Sequence, residues 1–232
     1  MRVRVDLNIS LDGFATTTDG TPEDPFGKDW FRLVDAYTAT RTFRSRVLGD
    51  TSGAGTAGVD DDYAAAYFEE VGAEIMGAGM FGLHLYGDDP AWRGWWGDNP
   101  PFHVPVFVLT HQPRASIEME GGTVFHFLSA SPQEALEQAV AVSGGLDVRI
   151  GGGPTVVQAF LEAGLVDQLH VAIAPILLGD GIRLWDGLRG LEQGYEVKAV
   201  AADSGTLHVT FTRAPAASQA TGAPWRPEGN TL

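Results

Sequence analysis

The chain contains no cysteine, which removes disulfides, thiolate metal ligands and cysteine nucleophiles from consideration. It is also short of positive charge: 15 Lys and Arg stand against 30 Asp and Glu, a formal net charge of −15. A chain this acidic is repelled by nucleic-acid backbones and anionic lipid, so neither is expected as a partner. An anionic ligand would need a local nest of backbone N–H groups or a few placed bases. Long apolar runs are missing as well; none approaches the ~20 residues of a membrane-spanning helix. The opening MRVRVDLNIS lacks the apolar stretch of a secretory signal, so a cytoplasmic location is the expectation. The six histidines (84, 103, 111, 126, 170 and 208) show no HxxxH or HxH spacing, and no metal site is expected. There is no GxSxG elbow of a serine hydrolase either.

What is present describes an α/β domain. The 232 residues, 44% of them apolar, suffice for one domain with a sizeable core. Val3, Val5, Leu7 and Ile9 alternate with Arg4, Asp6 and Asn8, a strand with one face buried. It ends in SLDGF (10–14), where Gly13 permits a sharp turn. Loop follows to about residue 28, then a helix over 30–40, a glycine-rich stretch (49–58) and a helix led by Asp60 to Asp62. Further strands are read at 73–76, 104–109, 123–127, 147–150 and 168–176. Ser131-Pro132-Gln133-Glu134 is a capping box opening a helix to about 142. Val156, Val157, Phe160 and Leu161 form the apolar face of another, stopped by Gly164. Strands at 195–201 and 207–213 flank Asp203-Ser204-Gly205 as a hairpin. The expected fold is a mixed, mostly parallel sheet of about eight strands with helices on both faces and a C-terminal antiparallel hairpin. Residues 1–213 form the domain; 214–232, rich in Pro, Ala, Gly and Ser, are expected to be a disordered tail.

Two glycine-rich strand ends carry the clearest chemical signal. Gly151-Gly152-Gly153-Pro154 joins a strand to a helix, bringing backbone close to a ligand and offering free N–H groups at a positive dipole end. That can hold a pyrophosphate; it is equally a tight turn with no ligand. GAGMFG (77–82) is a second such end, or simply a loop with helix-stopping glycines. Two of them at the carboxyl ends of parallel strands fit a dinucleotide laid across the sheet. VLTHQPR (108–114) ends a strand in a hydroxyl, an imidazole and a guanidinium, and Arg114 can pair with phosphate or close a polar turn. AWRGWWGDNPPFH (91–103) places three tryptophans in five residues, a lid or packing surface, or a wall that stacks a flat ring. Trp95, Trp96 and Phe102 are its candidate substrate contacts.

SLDGF, MGAGMFG (76–82), VFVLTH (106–111) and IGGGPTVVQAFLEAGLVDQLHVAIAPILLGDGIRLW (150–185) together resemble the RibD C-terminal family, reductase domains of riboflavin biosynthesis with the dihydrofolate reductase fold. The resemblance implies NADPH, with its pyrophosphate at Gly151, Gly152, Gly153, Pro154, Thr155 and Val156 and at Gly77, Ala78 and Gly79. It places the adenosine 2′-phosphate near Thr110, His111 and Arg114, and the nicotinamide against Phe14 and Ala15. It also implies a flat pyrimidine- or pterin-like substrate and a homodimer. Relatives have Gly-Arg where this chain has Gly77-Ala78, a lost contact of ~1.5–3 kcal/mol, and LVDELH reads LVDQLH here, with Gln168. Asp12 is the candidate proton donor or substrate anchor, or else a turn former. The expected activity is NADPH-dependent reduction of a small cyclic or conjugated substrate. Its rivals are a cofactor-independent isomerase, cyclase or dehydratase, and a non-catalytic binding protein.

Overall fold

The computed structural model describes residues 1–214; the expected tail, apart from Ala214, lies outside the described residues. The strands are β1 (Val3–Ser10), β2 (Phe14–Thr16), β3 (Val71–Gly77), β4 (Pro105–Leu109), β5 (Ile117–Glu118), β6 (Val124–Leu128), β7 (Asp147–Gly152), β8 (Gln168–Ala174), β9 (Ile182–Arg183), β10 (Tyr195–Ala201) and β11 (Leu207–Arg213). The helices are α1 (Trp30–Leu33), α2 (Asp35–Thr38), α3 (Arg41–Arg46), α4 (Val59–Phe68), α5 (Ala78–Phe81), α6 (Leu83–Tyr86), α7 (Pro132–Val142) and α8 (Pro154–Glu162). Nine strands form the main sheet in the order β10-β11-β8-β1-β7-β3-β4-β6-β5, and β2 pairs with β9 apart from it. The run from β8 to β6 is parallel, while the β10–β11 hairpin and β5 are antiparallel. This is the mixed α/β architecture of the dihydrofolate-reductase-like fold.

Local sequence explains most boundaries. Ser131 accepts from the Glu134 N–H while the Glu134 carboxylate accepts from the Ser131 N–H, closing the capping box of α7 behind Pro132. Gly164 turns left-handed at φ +67 after α8. The helix expected over 30–40 is instead two single turns, α1 and α2. Val34 breaks it at φ −106, ψ 9, and Asp29 pairs with Arg32 where it would have capped the helix. The strand expected to reach residue 176 ends at Ala174.

One sheet face is apolar. Val3, Val5, Ile9, Ile75, Ile150, Leu169 and Val171 are buried against Ala135, Leu136 and Ala139 of α7 and Val157, Phe160 and Leu161 of α8. Each such side chain contributes ~1.5–3 kcal/mol on leaving water. The opposite face is buried too, contrary to the one-faced reading of β1: Arg4 is 7% exposed, Glu74 0%, Arg149 1%, His170 7% and His208 3%. Polar side chains tolerate this because they are paired with one another under α4. Toward β4 and β6 this face becomes aromatic, with Met76, Phe81, Val106, Val108, Phe125 and Phe127 packed on Trp92, Trp96 and Phe102.

Candidate ligand cleft at the glycine-rich turns

The two glycine-rich turns meet at the carboxyl ends of β3 and β7. A Cβ on Gly77 would lie 2.9 Å from Val156 Cγ2 and 3.7 Å from the Gly153 nitrogen, so glycine there lets the start of α8 close onto the end of β3. Gly79 and Gly153 face open space. No side chain caps α8, leaving its dipole end free for an anion. Thr155 is exposed and Val156 half-buried at this edge, whereas Gly151, Gly152 and Pro154 are buried. Gly151 has a structural role: a Cβ there would collide with the Glu74 carboxylate. Gly152 adopts φ +124, and a Cβ there would lie 3.2 Å from Met80 Sδ. The ledge that a ligand reaches is therefore narrower than the sequence reading, comprising Ala78, Gly79, Gly153, Thr155 and Val156, with Gly77 buried behind it.

Thr110 and His111 follow β4. Thr110 donates its N–H to the Leu128 carbonyl and accepts from the Gln112 N–H at its hydroxyl, and His111 is exposed. Arg114 is turned to another task. Its guanidinium lies 4.5 Å from the Phe127 ring centroid and donates to the Trp92 carbonyl. Burial holds its pKa below the ordinary arginine range, against the pull of Asp89. It fastens the tryptophan loop and is not free for phosphate.

That loop is a packing surface. Trp92 and Trp95 donate their indole N–H groups to the carbonyls of Phe81 and Met80, each at 2.8 Å. Trp96 packs on Phe102 and Phe125, and Trp95 meets Phe26. The Trp96 and Phe102 rings are spent on the aromatic core, which corrects their reading as a wall for a substrate ring; Trp95 alone of the three borders the loop that precedes α1.

Asp12 is likewise occupied. Its carboxylate accepts from the Ser10 hydroxyl at 2.6 Å and from the N–H groups of Leu178 (3.1 Å) and Gly179 (2.8 Å). The Ser10 bond first, with the two backbone donors, lowers its pKa to about 2. An acid so held is ionised at neutral pH, and its contacts tie the β1–β2 turn to the 178–179 segment, which is the turn-forming reading of Asp12. Phe14 and Ala15 are buried beside it. Arg183, which sequence reasoning passed over, lies with its guanidinium 4.3 Å from the Phe14 ring centroid and donates to the Asp12 carbonyl. Gln158 of α8 holds the same segment by donating to the Arg183 carbonyl. The signal for Arg183 was available: it is a cation inside the longest matching block, in an acidic chain.

A parallel sheet whose glycine-rich strand ends converge on a helix N-terminus defines an α/β protein with a ligand ledge at the sheet's carboxyl edge. Comparison with known proteins makes this specific. The model of the RibD C-terminal domain matches residues 2–209, and the chain belongs to that family. It is 32% identical over 119 residues to the riboflavin biosynthesis protein RibD of Mycobacterium tuberculosis, a match covering 49% of this chain and 33% of that protein. The match thus spans about a third of the curated relatives' length. Among solved structures, a putative riboflavin biosynthesis protein from Shewanella sp. PV-4 superposes with a TM-score of 0.57 at 20% identity, over 93% of this chain and all of that one. Acinetobacter baumannii RibD gives 0.53 at 16% identity, over 92% of this chain and 58% of that chain. Both show the fold. Among the described residues no helix is long and apolar enough to cross a membrane, and no group of His, Asp and Glu is placed to hold a metal ion.

Proposed function

We propose that this protein is an oxidoreductase that uses NADPH to reduce a small cyclic or conjugated substrate of the pyrimidine or pterin class. The observation that carries the reading is the convergence of Gly77 on Gly153 and Val156, with open space at Gly79 and Gly153 and an uncapped α8. These features fit a pyrophosphate held by backbone and dipole without lysine. On this reading Gly153, Thr155 and Val156 bind one side of the diphosphate and Ala78 and Gly79 the other. Thr110 and His111 face the adenosine end, and Phe14 and Ala15 lie under the nicotinamide. The chemistry that the bound cofactor supplies is hydride donation, and the protein's share is orientation and exclusion of water. Membership of the RibD C-terminal domain family supports the reaction class, and the names of the riboflavin-pathway relatives support the substrate class.

Titration with NADPH and with NADH, read by tryptophan fluorescence and melting temperature, tests this. At a hundredfold excess over Kd, binding stabilises by ~2.7 kcal/mol, a rise of ~5–10 °C for a chain of this size. Gly79→Asp meets no steric obstacle and places a negative charge on the ledge; it should weaken binding at least tenfold with the fold intact. One observation favours the cofactor-independent reading: Ala78 offers no cation at the ledge and Arg114 is bound elsewhere. Absence of any response to millimolar NADPH would decide for that second reading.

A further inference from the structure

Across the sheet from the ledge, four titratable side chains, two buried histidines between two half-buried aspartates, form an unbroken row that the reductase reading does not use. Asp6 Oδ1 lies 3.2 Å from His170 Nδ1, His170 Nε2 lies 2.9 Å from His208 Nδ1, and His208 Nε2 lies 2.9 Å from Asp60 Oδ1. The Tyr63 ring of α4 stacks over both imidazoles at 4.2 and 4.3 Å. These residues join β1, β8, β11 and the first turn of α4. The remaining charged and titratable groups about the row are Arg4 (3.8 Å from Asp6 Oδ2), Arg149, Glu74, Tyr37 and Tyr67.

The hydrogens can be counted. Three contacts at hydrogen-bond distance require three hydrogens, and two neutral imidazoles carry only two. Ionised aspartates bring none. The hydrogen bond and charge of His170, with Arg4 and Arg149, outweigh the upward push of burial and hold Asp6 below the ordinary carboxylate range. His170 therefore donates through Nδ1 to Asp6. If it is neutral, it accepts at Nε2 from His208, and His208 is left presenting a lone pair to the Asp60 carboxylate at 2.9 Å. That is repulsive.

We propose that the row Asp6–His170–His208–Asp60 is a proton-binding site, taking one proton beyond two neutral imidazoles, and that this proton clamps the first turn of α4 to the β8–β11 side of the sheet. The row has room for one. Burial first, and then the neighbouring His170 charge, opposes a second at His208 and draws it below its ordinary value against the pull of Asp60. The other end of α4 is fastened without titration in this range, by Arg4 donating to the carbonyls of Ala66 and Glu69 and by Arg149 donating to that of Tyr67. Protonation therefore governs one end of the helix only.

The sign follows from which state binds the proton. As pH falls through the unfolded histidine value, ~6.5, the unfolded chain gains two protons at these positions while the row, already holding its one, gains none, so stability declines toward acid. As pH rises through release of the clamped proton, the native state alone loses it, and the unfolding equilibrium moves by up to about tenfold per pH unit. Asp60→Asn isolates the effect, because its amide N–H₂ can donate to His208 Nε2 with no proton taken up. Urea unfolding of wild type and Asp60→Asn is measured from about pH 5 to 9, bracketing the ordinary histidine range. The expected result is a loss of wild-type stability on the alkaline side that the variant lacks; parallel curves overturn the proposal. In the same pH series, nitrogen-15 NMR of wild-type histidine side chains counts protons on the four row nitrogens independently of how the variant folds. Three at neutral pH, falling to two with alkali, is expected, whereas two throughout overturns it.

Discussion

The two faces of the sheet bury side chains with equal thoroughness and by opposite means. On the α7–α8 face Val5, Ile150, Phe160 and Val171 exclude water by shape alone. On the α4 face Glu74 and Arg149, both essentially inaccessible, are buried as an ion pair with the Arg149 guanidinium 3.5 Å from the Tyr67 ring centroid. An apolar face stabilises roughly in proportion to the area it removes from water. A paired polar face contributes little net, because desolvation offsets attraction, yet losing one partner leaves a charge stranded. The two faces should therefore respond differently to deletion and to repair. The polar face is also the better placed to set geometry: the unpaired Glu74 Oε1 lies against Gly151, so the ion pair supports the start of the glycine turn that leads into the ledge.

The sharpest way to break this contrast is Arg149→Ala, which strands Glu74 at full burial and should cost about 3–5 kcal/mol in urea unfolding. The double replacement Glu74→Leu with Arg149→Met should recover most of that loss. Leu161→Ala on the other face should cost about 2–5 kcal/mol, and removing a second apolar neighbour should add to the loss. If the double replacement is as unstable as Arg149→Ala, the pair acts through attraction rather than through the penalty of a stranded charge, and the contrast fails.

A smaller effect is expected at the ledge, where the same cation chemistry is missing. Ala78 opens α5 beside Gly77 and is half-buried. Ala78→Arg supplies a guanidinium beside the ledge, and should tighten NADPH by about 1.5–3 kcal/mol, with the gain shrinking as salt rises. Equal gains for NADH place the contact on the diphosphate, and a gain for NADPH alone places it on the 2′-phosphate. No gain for either, measured by fluorescence titration, would mean that the ledge holds no dinucleotide.

How far the sequence was legible follows the same division. The apolar face could be read from Val3, Val5 and Ile9 and from the Val156–Leu161 stripe, because alternation and helical spacing report burial by shape. The polar face could not, since Arg4, Asp6 and His208 look like the solvent side of amphipathic strands. Pairing is a property of two strands, and Glu74 meets Arg149 only once β3 and β7 are registered. A charge inside each of two otherwise apolar runs, Ala73–Met76 and Val148–Ile150, was the available hint. At the ledge the motifs named two strand ends that the fold brings together, but not which groups were already engaged. Arg114, Trp96 and Asp12 have the chemistry expected of site residues and are each committed to internal contacts that only the tertiary structure supplies.

Asp12 gives the smallest effect and the cleanest separation of structure from catalysis. Its carboxyl is lowered from 3.8 to about 2 by the Ser10 hydroxyl and the Leu178 and Gly179 N–H groups. A depressed folded value means that its contribution is fully present above the unfolded value of ~3.9 and is lost as pH falls toward about 2. Because the side chain is half-exposed at the surface, solvent screening keeps that contribution under about 1 kcal/mol. Asp12→Asn cannot accept both backbone N–H groups with its two terminal atoms, since the amide nitrogen is a donor. It should therefore flatten the acid limb of stability between about pH 4 and 2, the range set by the folded and unfolded values, and loosen the 178–179 segment. If Asp12 only ties the turn, the variant keeps the neutral pH–rate profile and loses a few-fold in rate through misplaced Phe14. A loss on the order of a hundredfold or more, the scale of a missing general acid, with a titrating limb removed from that profile, would return Asp12 to the chemistry and force a protonated state that the present hydrogen bonds oppose.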